Sequence, residues 1–253
     1  LELETNLKDE GAQTENITAI DEAIKLTNYD SITSLKSFEQ GKFLVQGLSS
    51  MLVGHLLAPN SKEKVIDLCS APGGKATHLA QLMGNEGEIK AVDLHEQKLD
   101  LIEENCQRLG IENIATYAAD GREIDFTNQA DKVLVDAPCS GLGIIAKKPE
   151  IRWQKKPQDL EQLQELQFEL LTNAASLLAD GGELIYSTCT FTPEENQKVI
   201  KRFLQEFPQF NRSDLANEIE IEELEGYMKD GLLQILPDKD WEGFFIAKLV
   251  KKS

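Results

Sequence analysis

From Lys64 onward, short apolar runs alternate with longer stretches whose apolar positions recur at helical spacing. The runs at 65–68, 88–93, 114–118, 132–136 and 182–188 have strand length and are rich in Val, Ile and Tyr. Between them, 75–83, 96–109 and 158–179 read as helices. Gly110 suits the stop of the second helix, and Gly181-Gly182 that of the third. Pro193-Glu-Glu-Asn196 reads as the start of another helix, reaching about Phe207, with Thr192 as its N-cap. Two strands follow, at 232–236 and 243–250. This alternation predicts an α/β fold, a doubly wound and mostly parallel sheet with an antiparallel strand pair at one edge.

Ahead of Lys64 the pattern is weaker. Residues 1–30 are polar and acidic, and 38–45 read as a turn between short extended pieces. Residues 46–58 place Leu48, Met51, Leu52, His55 and Leu56 on one helical face before Pro59. The division expected is a small N-terminal lead-in at 1–60 and a main domain at 61–253.

With 253 residues the chain can bury one large core. No apolar run has the length of a membrane span, and no charged-then-apolar leader is expected. The first residue is Leu1, as in a piece of a longer protein. Cys69, Cys106, Cys139 and Cys189 lie far apart with no C-x-x-C pair. That spacing argues against a zinc site or a disulfide framework, so no metal is expected, and it fits a reducing cytoplasm. A net charge of −18 opposes contact with phosphate. The charge is uneven, however, with Lys147, Lys148, Arg152, Lys155 and Lys156 crowded together. A solvated charged face and a phosphate contact both remain open for that segment.

Three strand ends carry the chemistry. Ala71-Pro-Gly-Gly-Lys75 follows the first strand and opens a helix, a place where free amides meet an anion. The spacing is not G-x-G-x-x-G, so a carboxylate fits better than a dinucleotide pyrophosphate. Asp93 and Asp120 end the next two strands, where acids suit a ribose diol and an adenine amino group. This pattern fits an adenosyl cofactor. Cys139 and Cys189 end two strands expected to be neighbours, while Cys106 reads as packing. Two thiols, the acid Asp136 and a methyl donor suit methylation at C5 of a pyrimidine. A thiolate adds to C6, C5 becomes nucleophilic, and a base removes the C5 proton.

Asp67-Leu-Cys-Ser-Ala-Pro-Gly-Gly-Lys75, Asp136-Ala-Pro-Cys-Ser-Gly-Leu-Gly143 and Tyr186-Ser-Thr-Cys189 together resemble motifs of the NOL/NOP/Sun superfamily of RNA cytosine-5 methyltransferases. The nearest likeness is to the bacterial Sun (RsmB/Fmu) type, which acts on 16S ribosomal RNA. The likeness runs from about Phe38 to the C-terminus and includes residues 43–46 and 240–249. It implies a Rossmann-like class I methyltransferase fold, S-adenosylmethionine as cofactor, and RNA as partner. It also implies Cys189 as nucleophile and Cys139 as the group assisting product release. Cofactor contacts would come from Cys69, Ser70, Ala71, Pro72, Gly73, Gly74, Lys75, Asp93, Asp120 and Asp136, with Asp136 also facing the cytosine. The likeness assigns Lys147, Lys148, Arg152, Lys155 and Lys156 to RNA, whereas Trp153 reads first as core. Two departures stand out: the family's N-terminal NusB-like domain fits nowhere in this chain, and Trp241-Glu-Gly243 replaces an Asp-Gly. The competing readings are a DNA cytosine-5 methyltransferase using Cys139 as nucleophile, and a non-catalytic RNA-binding or assembly module.

Overall fold

The computed structural model describes residues 2–126 and 129–253. Its centre is a nine-stranded sheet. The five parallel strands are β3 (Lys64–Asp67), β4 (Glu88–Asp93), β5 (Ile114–Ala118), β6 (Ala130–Asp136) and β7 (Leu178–Thr188). Ahead of them lie β1 (Gln13–Asn16) and β2 (Ile24–Thr27), a separate antiparallel hairpin. After them come β8 (Phe210–Arg212), β9 (Met228–Lys229), β10 (Leu232–Ile235) and β11 (Phe244–Lys251), which add antiparallel pairs beyond β7. The order β5-β4-β3-β6-β7-β11-β10-β9 reverses direction between β3 and β6. In such sheets the ligand crevice lies outside the strand ends at that reversal.

The helices are α1 (Glu2–Asp9), α2 (Lys36–Glu39), α3 (Leu48–Leu57), α4 (Gly74–Leu82), α5 (Glu96–Leu109), α6 (Ile151–Gln154), α7 (Pro157–Leu177) and α8 (Gln197–Glu206). Residues of α3, α4 and α5 pack with Leu134 and Ile185 on one sheet face. Those of α7 and α8 pack with Val133, Val135, Leu184 and Tyr186 on the other. Neighbouring strand residues thus enter opposite cores, which is why residues 133–135 and 184–186 are unbroken apolar runs.

Three local expectations need correction. Residues 193–196 form turns, and the last helix starts at Gln197 after Asn196 in the N-cap place. Glu195 and Asn196 are fully buried, and their side chains bind neighbouring loops, which bends the chain away from a helix. Gly181 and Gly182 do not end α7; they lie within β7, where its register with β6 slips. A Cβ on Gly182 would stand 2.8 Å from the Asp131 carbonyl oxygen, so the slip requires glycine there. Residues 38–45 hold the expected turn, but the piece before it is the end of α2 instead of extended chain. Arg108 fixes this turn, donating to the carbonyls of Phe38 and Phe43 at 2.9 and 3.0 Å. Gly110 ends α5 in the left-handed conformation, as the sequence indicates.

Candidate active site

The loop leaving β3 turns at Gly73, whose φ is +96°. A Cβ there would press on Ile102 at 3.2 Å. Gly74, the first residue of α4, has no atom within 4 Å of where a Cβ would stand. The helix N-terminus therefore opens on free space, a fit for a carboxylate. Asp67, at the end of β3, is buried, and its Oδ2 has no hydrogen-bond partner. Burial, reinforced by the nearby Asp136 carboxylate, pushes its pKa up to about 7. An orphaned buried acceptor beside a free helix N-terminus suits a zwitterionic ligand carrying an extra positive charge. The methionine end of S-adenosylmethionine has that character. Asp93 accepts from the Ala71 amide at 3.3 Å and the His95 amide at 3.0 Å, tying the glycine loop to β4. Asp120 is bound by the Arg122 guanidinium, which holds its carboxyl below the usual range. An adenine amino group would have to share that acid with Arg122.

The strand order places β6 beside β7, and their loops bring the two thiols together. Cys139 Sγ and Cys189 Sγ lie 3.2 Å apart. The hydrogen bond from Cys139 lowers the pKa of Cys189, and the Lys75 ammonium acts in the same direction. The same bond, with burial, pushes Cys139 up. Within the pair Cys189 is the thiol that ionises more readily. Asp136 stands beside them. Its oxygens accept from Lys75 Nζ and Ser187 Oγ, each at 2.7 Å. Cys69 is pushed well above its ordinary value by burial and by Asp67, so it stays a thiol. Cys106 packs against the core, as expected.

The sequence pattern does not reveal what holds these loops. Glu195 is fully buried and accepts from the Ser140 amide (2.7 Å), Ser140 Oγ (2.6 Å), Gln167 Nε2 (3.1 Å) and Thr192 Oγ1 (2.7 Å). Gln167 also donates to the Pro138 carbonyl at 2.9 Å. Asn196 accepts from Thr188 and donates to the Thr190 carbonyl. These side chains brace the residues on both sides of each thiol. At Gly143 the first loop meets the second: its amide donates to the Cys189 carbonyl and its carbonyl accepts from Gly243, both at 3.0 Å.

The five basic residues are all exposed and start just beyond Gly143. Lys147 pairs with Glu242, next to Gly243. Lys148, Arg152 and Lys155 have no ion-pair partner among the described residues, so their charge is available to a ligand. Trp153 is 86% exposed, so it is not a core residue. The short helix α6 buries Ile151 in its place.

Sheet order, crevice and motifs define a Rossmann-like methyltransferase domain. The chain belongs to the 16S rRNA methyltransferase RsmB/F family, whose model matches residues 54–250. A relative from Bacillus subtilis, described as a probable ribosomal RNA small subunit methyltransferase B, is 42% identical, over all of this chain and 57% of its own length. Among solved structures, PH0851 superposes with a TM-score of 0.92 at 33% identity, covering 99% of this chain and 56% of its own. NSun6 from Pyrococcus horikoshii, solved with SFG, gives a TM-score of 0.78 at 34% identity, covering 91% of this chain and 60% of its own. The chain thus spans little more than half the length of these relatives. No helix among the described residues is long and apolar enough to cross a membrane.

Proposed function

We propose that this chain transfers a methyl group from S-adenosylmethionine to C5 of a cytosine in small-subunit ribosomal RNA. The observation that carries this reading is the pair of sulfurs 3.2 Å apart, with the Lys75–Asp136 ion pair beside them. Family membership and the names of the relatives support the cofactor and the RNA class.

When bound, the cofactor supplies an electrophilic methyl group; the remaining steps belong to the chain. Asp67 and the α4 N-terminus would hold the charged end of the cofactor. Cys189 forms a sulfur–carbon bond to C6 of the cytosine. The Lys75–Asp136 pair lends a proton to N3 as the sulfur adds, which stabilises the ring, and takes it back when the sulfur leaves. C5 then carries the electron pair that takes the methyl group. Cys139 assists removal of the C5 proton; the pair from that C–H bond reforms the double bond, and the Cys189 sulfur leaves C6. A target base inside a helix must first leave its stack. Exposed Trp153 and the basic segment give a stacking surface and phosphate contacts at the rim.

The test is transfer of labelled methyl groups to unmodified small-subunit ribosomal RNA, followed by nucleoside mass spectrometry. Label in 5-methylcytidine is the expected result. Label in any other nucleoside overturns the chemistry. If no label is incorporated, even with a NusB-like RNA-binding domain added, the reading of an active enzyme fails.

A further inference from the structure

Away from the crevice, three side chains from three elements converge on one point. Glu22 lies in the turn between β1 and β2, His55 on α3 and His78 on α4. Glu22 Oε1 is 2.6 Å from His55 Nε2 and 3.1 Å from His78 Nε2. All three ligand atoms fall within 4.8 Å of one another. His78 is buried, while Glu22 and His55 reach solvent, which leaves an entry path. The position of His78 is set by close packing of α3 on α4: a Cβ at Gly54 would stand 2.8 Å from its Nδ1.

Two imidazoles and one carboxylate form the donor set of three-ligand zinc sites, with a fourth position left for water. A single carboxylate oxygen here faces both Nε2 atoms, so an ion between the three can replace two hydrogen bonds without leaving a donor orphaned at that point. The cysteine-spacing argument against zinc does not reach this site, which uses no cysteine. We propose that Glu22, His55 and His78 bind a divalent transition-metal ion of the zinc class, tying the β1–β2 hairpin to α3 and α4. The role is structural and independent of the methyl-transfer reading. His78 Nδ1 has no hydrogen-bond partner, so the outer shell that usually orients a ligating histidine is missing. Affinity is therefore expected about 10- to 100-fold below that of a fully supported site.

The test is titration of the untagged chain with Co²⁺ and with Zn²⁺ in a Cys139→Ser, Cys189→Ser background, since the paired thiols would otherwise compete. The expected result is one equivalent of bound Co²⁺ with visible ligand-field absorption and no sulfur charge-transfer band. Glu22→Gln and His55→Ala, both at solvent-reaching positions, should each weaken binding by about 10-fold or more. Zn²⁺ should raise the melting temperature of the parent but not of these variants. Absence of stoichiometric binding, or equal affinity in parent and both variants, overturns the proposal.

Discussion

Glu195 accepts from both the backbone amide and the hydroxyl of Ser140, at 2.7 and 2.6 Å, in a fully buried setting. One carboxylate on the loop after β7 thereby fixes the residue beside Cys139. Truncation to Ala would leave the buried Ser140 amide and the Thr192 hydroxyl without this acceptor and take one partner each from Ser140 Oγ and Gln167 Nε2. Glu195→Ala is expected to destabilise the chain by about 3 kcal/mol and to lower turnover more than cofactor affinity. Urea unfolding and calorimetric cofactor titration check this. Unchanged stability would show that the network is not a brace.

The roles proposed for the two cysteines, whose sulfurs lie 3.2 Å apart, are separable by substitution. Cys189→Ala removes the thiolate and should abolish both methyl transfer and any covalent enzyme–RNA species. Cys139→Ala leaves the nucleophile in place but impairs release, so a slow-migrating adduct should accumulate on denaturing gels. The DNA-type alternative expects the reverse pattern. If Cys139→Ala gives no adduct while Cys189→Ala does, the assignment of the two thiols is overturned.

Asp67 gives a pH signature in the ligand-free chain. Its folded pKa is about 7 against an ordinary 3.8, so the folded state holds the proton more tightly than the unfolded state. Stability from this group is complete below about pH 4 and is lost as pH rises toward 7. Asp67→Asn should therefore gain stability over wild type across that window, by up to about 4 kcal/mol above pH 7. The same variant should bind S-adenosylmethionine more weakly, because the carboxylate charge opposite its cationic end is gone. Urea midpoints between pH 4 and 8 test the first claim, and a flat difference would refute it.

Much of this architecture is legible in the sequence because strands such as Val133-Leu-Val135 are buried on both faces and read as unbroken apolar runs. The thiol pairing is legible too, since both cysteines directly follow strands that alternation makes neighbours. Glu195 is not. Thr192-Pro-Glu-Glu195 has the local look of a helix start, and Thr192 does bond Glu195, but the dominant partners come from a loop 55 residues away. Trp153 misleads for a related reason. A large aromatic side chain suggests core, yet this one turn of helix buries Ile151 and leaves Trp153 in solvent. Nor does cysteine spacing speak to Glu22, His55 and His78, which only tertiary packing brings together.

The exposed ring of Trp153, set among Lys148, Arg152 and Lys155, is the RNA face under the proposed function. A chain of net charge −18 repels phosphate over most of its surface, so a local basic cluster should dominate the salt dependence of binding. Replacing Lys148, Arg152 and Lys155 together by Ala should flatten the slope of log affinity against log salt, by about 1 for each phosphate that is no longer neutralised. Trp153→Ala acts differently. Base stacking carries no counterion release, so affinity should fall by about 1–3 kcal/mol with the slope kept. Neither change touches the glycine loop, Asp67 or Asp93, so cofactor affinity should hold in both. Filter binding of ribosomal RNA fragments across a salt series separates the two effects. Equal slopes for wild type and the triple variant would place the RNA on another face.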